Sequence, residues 1–212
     1  MAFSLGTAAS IALWLARDTS NIARYGPQAP RYAQLIWVRP ADLNRRLIKS
    51  GKRSLRHNVG QIIGGDWDLH VEPMLSSGKV HAAVEHWRDG IPWEDTGAYD
   101  IMMKLIEAYG SFDGCRTFED VVARYKLLDE IFSVVLSEGR LRPRHELAEG
   151  RFRELGGVGV HIDRRGSPIW GFSGSHRLAM AHVLELPRIP AMLAVVHQDA
   201  MPNWRSRLLD EA

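Results

Sequence analysis

The 212-residue chain holds a single cysteine, Cys115, which excludes an internal disulfide and any cysteine-rich zinc site. The nine histidines do not make up for it. His81 and His86 are five apart and His176 and His182 six apart, so neither pair shares a helix face and no metal-ligand spacing emerges. Long apolar runs are missing too. The opening stretch Met1 to Ala16 is apolar, but it is too short to cross a bilayer and has no basic flank of a signal peptide. It reads as a packed helix or peripheral arm, with residues 1–30 set apart by the break Tyr25-Gly-Pro-Gln-Ala-Pro30. A reducing, cytoplasmic setting without membrane association is the expectation.

Negative charge is absent from one segment. Between Asp42 and Asp66 no acidic residue occurs, while Arg45, Arg46, Lys49, Lys52, Arg53 and Arg56 all fall there. Such a run is ordinarily a solvated face; contact with phosphate or nucleic acid is the alternative. The whole chain carries only +2, which gives nucleic-acid binding no further support.

What is present is the composition of a globular protein, 45% hydrophobic and 25% charged, long enough for one domain with a substantial core. Tyr32 to Val38 favours a strand, and Pro40-Ala-Asp-Leu predicts a helix running to about Lys49. Lys79 to Arg88 reads as a helix, stopped by Asp89-Gly-Ile-Pro-Trp93. Thr96 is placed to cap the next, which carries Met102, Leu105, Ile106 and Tyr109. Thr117 precedes a longer one with the stripe Phe118, Val121, Val122, Tyr125, Leu128, Phe132, Val135 and Leu136, closed by Gly139. Further on come Val158 to Ile162, a turn at Arg165-Gly166, Pro168 to Gly171, a helix through Leu178 to Leu184, and a closing strand from Arg188 to Val196. The fold class is α+β: a domain over 31–212 with a small mixed sheet and a helical insertion at about 79–150.

Phe172-Ser-Gly-Ser-His-Arg177 falls at the junction of strand and helix. A helix N-terminus offers backbone N–H groups without intrahelical partners and partial positive charge. The small residues Ser173, Gly174 and Ser175 let an anion approach closely, and His176 and Arg177 add donors, which is the chemistry of a phosphate cradle. A simple cap by Ser173 or Ser175 is the plainer reading, but it leaves His and Arg in a first turn whose dipole they oppose. Trp170, two residues upstream of the motif, is a candidate for lining a base or sugar pocket; the other six tryptophans are spread among elements and read as core or interface.

The strand, turn, strand, F-S-G-S-H-R, helix and strand series over 158–196 resembles the nucleotide-binding core of the sulfiredoxin/ParB-like superfamily. The corresponding run is F-G-G-C-H-R in sulfiredoxins and G-E-R-R in ParB proteins. Ser175 stands where sulfiredoxin chemistry needs a thiolate, and Cys115 is remote in sequence, which argues against sulfinic acid repair. Arg177 matches the second ParB arginine, whereas His176 departs from the first. ParB proteins also carry a helix-turn-helix domain after the motif, and here only 35 residues follow Arg177, so nucleic acid is not the favoured partner.

Two acidic pairs bear on catalysis. Asp66 and Asp68 flank Trp67 after Gly64-Gly65 and are candidates for Mg²⁺ ligand or general base; shaping a turn is the structural alternative. Glu94 and Asp95 beside Trp93 read rather as a helix entry. The expectation, with free-serine kinases of the superfamily as precedent by resemblance, is a protein binding a nucleoside triphosphate, ATP or CTP, with Mg²⁺. It would transfer phosphate to an unidentified small acceptor or hydrolyse the nucleotide; a non-catalytic nucleotide sensor or nucleic-acid-binding regulator is the alternative.

Overall fold

The computed structural model describes residues 8–48, 55–147 and 152–210, which leaves Lys49, Lys52 and Arg53 of the basic segment outside the described residues. Seven strands form one mixed sheet: β1 (Leu35–Val38), β2 (Arg45–Leu47), β3 (Gln61–Ile63), β4 (Val71–Pro73), β5 (Val158–Ile162), β6 (Pro168–Phe172) and β7 (Ile189–His197). The order is β1-β7-β5-β6-β2-β4, with β3 also paired to β7. All nine residues of β7 are buried. It lies parallel to β5 on one side; on the other, its first half pairs antiparallel with β1 and its second half parallel with β3. A strand covered on both faces reads as a continuous apolar run, as Ile189 to Val196 does.

Among the described residues six helices complete the α+β fold: α1 (Ala8–Tyr25), α2 (Gly78–Asp89), α3 (Ala98–Tyr109), α4 (Phe118–Glu138), α5 (Arg144–Leu147, a single turn) and α6 (Ser175–Val183). The apolar N-terminal segment is a docked helix from Ala8 onward. Trp14 stacks on Tyr32 with ring centroids 4.4 Å apart, and Asn21 donates to the carbonyls of Pro30 and Gly60. α4 begins in a capping box, Thr117 accepting from the Asp120 N–H while the Asp120 carboxylate accepts from Thr117, and ends at left-handed Gly139. Its Val121, Tyr125, Leu128 and Val135 enter the main core, while Phe118 and Leu136 of the predicted stripe stay exposed. α6 lies in that core, packed chiefly on α2 and also against α4.

One expectation is overturned. Residues 40–48 do not form a helix, and Lys49 lies outside the described residues: Pro40–Asp42 is a single 3-10 turn, and the chain then enters β2. Proline presets φ for a first helical turn, but Arg46 is claimed on both sides, opposite Trp170 of β6 and Glu72 of β4, and sheet pairing overrides local propensity. The edge is reinforced by ion pairs from Arg46 to Glu72 and from Arg45 to the buried Asp163, the latter at 3.0 Å. These two arginines of the basic run are therefore engaged within the protein.

Candidate functional site

β6 feeds α6 through two consecutive left-handed residues, Ser173 at φ 58° and Gly174 at φ 69°. Glycine at 174 is required twice over, by that φ and because a Cβ there would meet the backbone of Val158 at 2.8 Å. Ser173 holds this conformation through its hydroxyl, which donates to Gly157 O at 2.6 Å, and through its carbonyl, which accepts the Trp170 indole N–H at 2.9 Å. A non-glycine residue in the left-handed region is a strain that surrounding contacts must impose. The capping alternative fails here: no side chain caps α6, and its first turn holds no acidic residue. Trp170 is 4% exposed and serves the turn from within the core, so it offers no face to a base or sugar.

His176 and Arg177 diverge from the first turn of α6. His176 turns inward onto the edge of Tyr125 of α4, with centroids 5.6 Å apart. Burial, helped by the charges of Lys79 and Arg124, pushes its pKa down to about 3, so the ring is neutral and does not oppose the helix dipole. Around it lies a polar cluster from α2, α4 and the turn that precedes α4. Lys79, in the first turn of α2, bonds Asp113 at 2.5 Å, and Arg124 of α4 approaches the same carboxylate oxygen at 3.8 Å. Asp113 sits in the turn Phe112-Asp113-Gly114-Cys115 at φ 49°. Burial works to raise its pKa, but Lys79 and then Arg124 hold it below the usual carboxylate value; the Lys79 amine is pressed down by its own burial. Cys115, buried beside this cluster, has its thiol pKa raised by burial and is no ready nucleophile.

Arg177 turns the other way and donates from Nη2 to Arg142 O at 2.7 Å, while its buried Nε finds no partner. Glu154, fully buried, accepts the Arg144 N–H on Oε2 and leaves Oε1 without a hydrogen bond. Burial raises its pKa, opposed first by the Arg144 N–H and then by the charge of Arg177. Gly157 makes room for it, since a Cβ there would lie 2.6 Å from Oε1. The carboxylates near the α6 N-terminus are thus Asp113 and Glu154.

Asp66 and Asp68 are not among them. Asp68 is buried and accepts from Arg164 through the backbone N–H at 3.0 Å and from Nε and Nη2 at 2.7 to 3.1 Å. Asp66, exposed, accepts from the same Nη2 at 2.9 Å. Arg164 lies two residues past the end of β5, whereas Gly174 packs against its first residue, so the acidic loop and the junction lie at opposite ends of a strand roughly 13 Å long. Burial works to raise the pKa of Asp68, and the Arg164 hydrogen bonds overcome it. These two carboxylates face a guanidinium, a donor set unsuited to Mg²⁺, and among the described residues no three His, Cys, Asp or Glu are grouped to hold a metal. Glu94 and Asp95 precede α3, where Gly97 is the N-cap and Thr96 Oγ1 accepts the Ala98 N–H at 3.3 Å.

Sequence reasoning missed Lys79, Asp113, Arg124, Tyr125 and Glu154. No motif marks them; Asp113-Gly114 reads as a turn and Lys79 as a helix-surface lysine, and only the packing of α2 and α4 against α6 joins the first four, while Glu154 is brought in by the turn before β5. No helix among the described residues is long and apolar enough to cross a membrane. No protein-family model, curated protein or solved structure matches the chain.

Proposed function

We propose that the protein binds a nucleoside triphosphate, ATP or CTP, with its phosphates at the Ser173 to Arg177 junction. The observation that carries this reading is the uncapped N-terminus of α6, reached through two left-handed residues and flanked by Arg177 with an unpaired buried Nε. Successive backbone N–H groups in such a turn form an anion nest, and the helix dipole adds favourable potential. The resemblance of Phe172-Ser-Gly-Ser-His-Arg177 to the sulfiredoxin/ParB-like motif points the same way. Ser175 would donate a hydrogen bond to phosphate, not act as nucleophile, since among the described residues no base is hydrogen-bonded to it. In phosphoryl transfer to a small acceptor, the protein's part is to position the phosphates and offset their charge. Mg²⁺, if it enters with the nucleotide, would have to be held without Asp66 and Asp68, and no step is assigned to it. Nucleotide sensing without turnover is the second reading, favoured by the distance of those two carboxylates from the junction.

Arg177→Ala tests the site. Calorimetric titration with ATP and CTP should show affinity reduced about tenfold or more, as for loss of a charge-assisted donor, with the circular dichroism spectrum unchanged. Equal affinity in the folded variant would reject the junction as the phosphate site. Release of γ-phosphate by the parent protein, with and without candidate acceptors, separates transfer from sensing.

A further inference from the structure

Three buried donors beside the first turn of α6 have no hydrogen-bond partner: Tyr125 Oη, Arg124 Nε and His176 Nε2. Tyr125 is 1% exposed and His176 8%. Buried polar groups are nearly always satisfied, so three orphans in one cluster call for an explanation. All three can donate, His176 in its Nε2–H tautomer, and the carboxylate at the centre of this cluster, Asp113, is already engaged by Lys79 and Arg124. The formal charge there is two cations against one anion, next to a positive helix end. What such a place lacks is a compact group made only of acceptors and carrying negative charge. A neutral group or a further donor would leave the conflict unresolved; an anion removes it, and a phosphoryl group, with three acceptor oxygens and up to two negative charges, matches three orphaned donors better than the two oxygens of a carboxylate.

We propose that Lys79, Arg124, Tyr125 and His176, supplied by the helical insertion and the first turn of α6, read the terminal phosphate of the nucleotide, while the junction itself holds the inner ones. This rests on the nucleotide reading of the junction and adds its selectivity: the insertion distinguishes triphosphate from diphosphate. The arrangement also gives the insertion a function, because without α2 and α4 none of the donors other than His176 would reach α6.

The test compares ATP, ADP and AMP, and the cytidine series, by calorimetry on the full chain. The parent should bind triphosphate about tenfold or more tighter than diphosphate. Tyr125→Phe removes only a hydroxyl that bonds to nothing in the protein, so it should fold normally and yet bring triphosphate affinity down to the diphosphate level. Arg124→Gln should do the same, with diphosphate and monophosphate affinities unchanged in both variants. A parent that does not separate tri- from diphosphate, variants that keep the parental ratio, or a loss uniform across all three nucleotides overturns the insertion's role while leaving the junction standing. No binding of any nucleotide by the parent overturns both.

Discussion

Gly171 lacks a side chain because His161 occupies the space: a Cβ at 171 would lie 2.1 Å from Nε2 of that ring. His161 is fully buried, with neither ring nitrogen hydrogen-bonded, between Trp67 and Phe172, and burial pushes its pKa down to about 3. Gly171→Ala should therefore destabilise the protein by about 1–3 kcal/mol through overpacking. In a His161→Ala background the same change should cost distinctly less, because the two sites share one volume. Urea unfolding of the four proteins measures the coupling, and additive costs would show that the histidine is not what excludes the methyl group. The sequence Pro-Ile-Trp-Gly shows only a glycine in a strand, which marks a close approach without saying of what.

Among the helices, α4 is the element whose limits were most legible. Thr117 and Gly139 mark its ends in the sequence, and the structure uses both, adding Asp120 as the second half of a capping box. Thr117→Ala removes the acceptor for the Asp120 N–H and should cost about 1 kcal/mol, a melting temperature lower by about 2–4 °C. A parental melting temperature would mean that the box is formed but contributes nothing. The short strands were not legible. β2, β3 and β4 have three residues each, too few to display an alternating pattern, and Arg45-Arg46 looks like surface. They exist because β6 offers an edge to β2, β7 one to β3, and β2 in turn one to β4, the same reason the predicted helix after Pro40 stops within one turn.

Across the whole molecule the two ends of β5 do different work. At one, Arg164 clamps the loop containing Gly65, Asp66 and Asp68 to the β5–β6 turn; at the other lies the junction. Asp68→Asn should lower the melting temperature by about 4 °C or more, because a buried acceptor of several guanidinium and backbone hydrogen bonds loses its charge. Asp66→Asn, on an exposed side chain, should change it by little. Nucleotide affinity should stay within about twofold of the parent in both, since perturbations at separate sites act independently. A selective loss of nucleotide binding or turnover in Asp68→Asn at full stability would return the acidic loop to the site. The sign of the pH effect follows from the lowered pKa: the clamp contributes fully above the unfolded carboxylate value of about 4 and is lost as pH falls below that value and through the lower pKa of the folded state.

From the amino-acid order alone came the α+β class, the helices α2, α3 and α4, and the strand-turn-strand series leading into α6. Those features are local: periodicity, caps, turn residues and a run of small residues before a helix are written within a few positions of each other. The tertiary structure decided which charges meet. Asp66 and Asp68, prominent in sequence, are drawn to Arg164, while Lys79, Asp113 and Arg124, unremarkable along the chain, converge on His176 because α2 and α4 pack against α6. Proximity between residues far apart in sequence is set by which helix faces bury against which, and that depends on the assembled core rather than on any single segment.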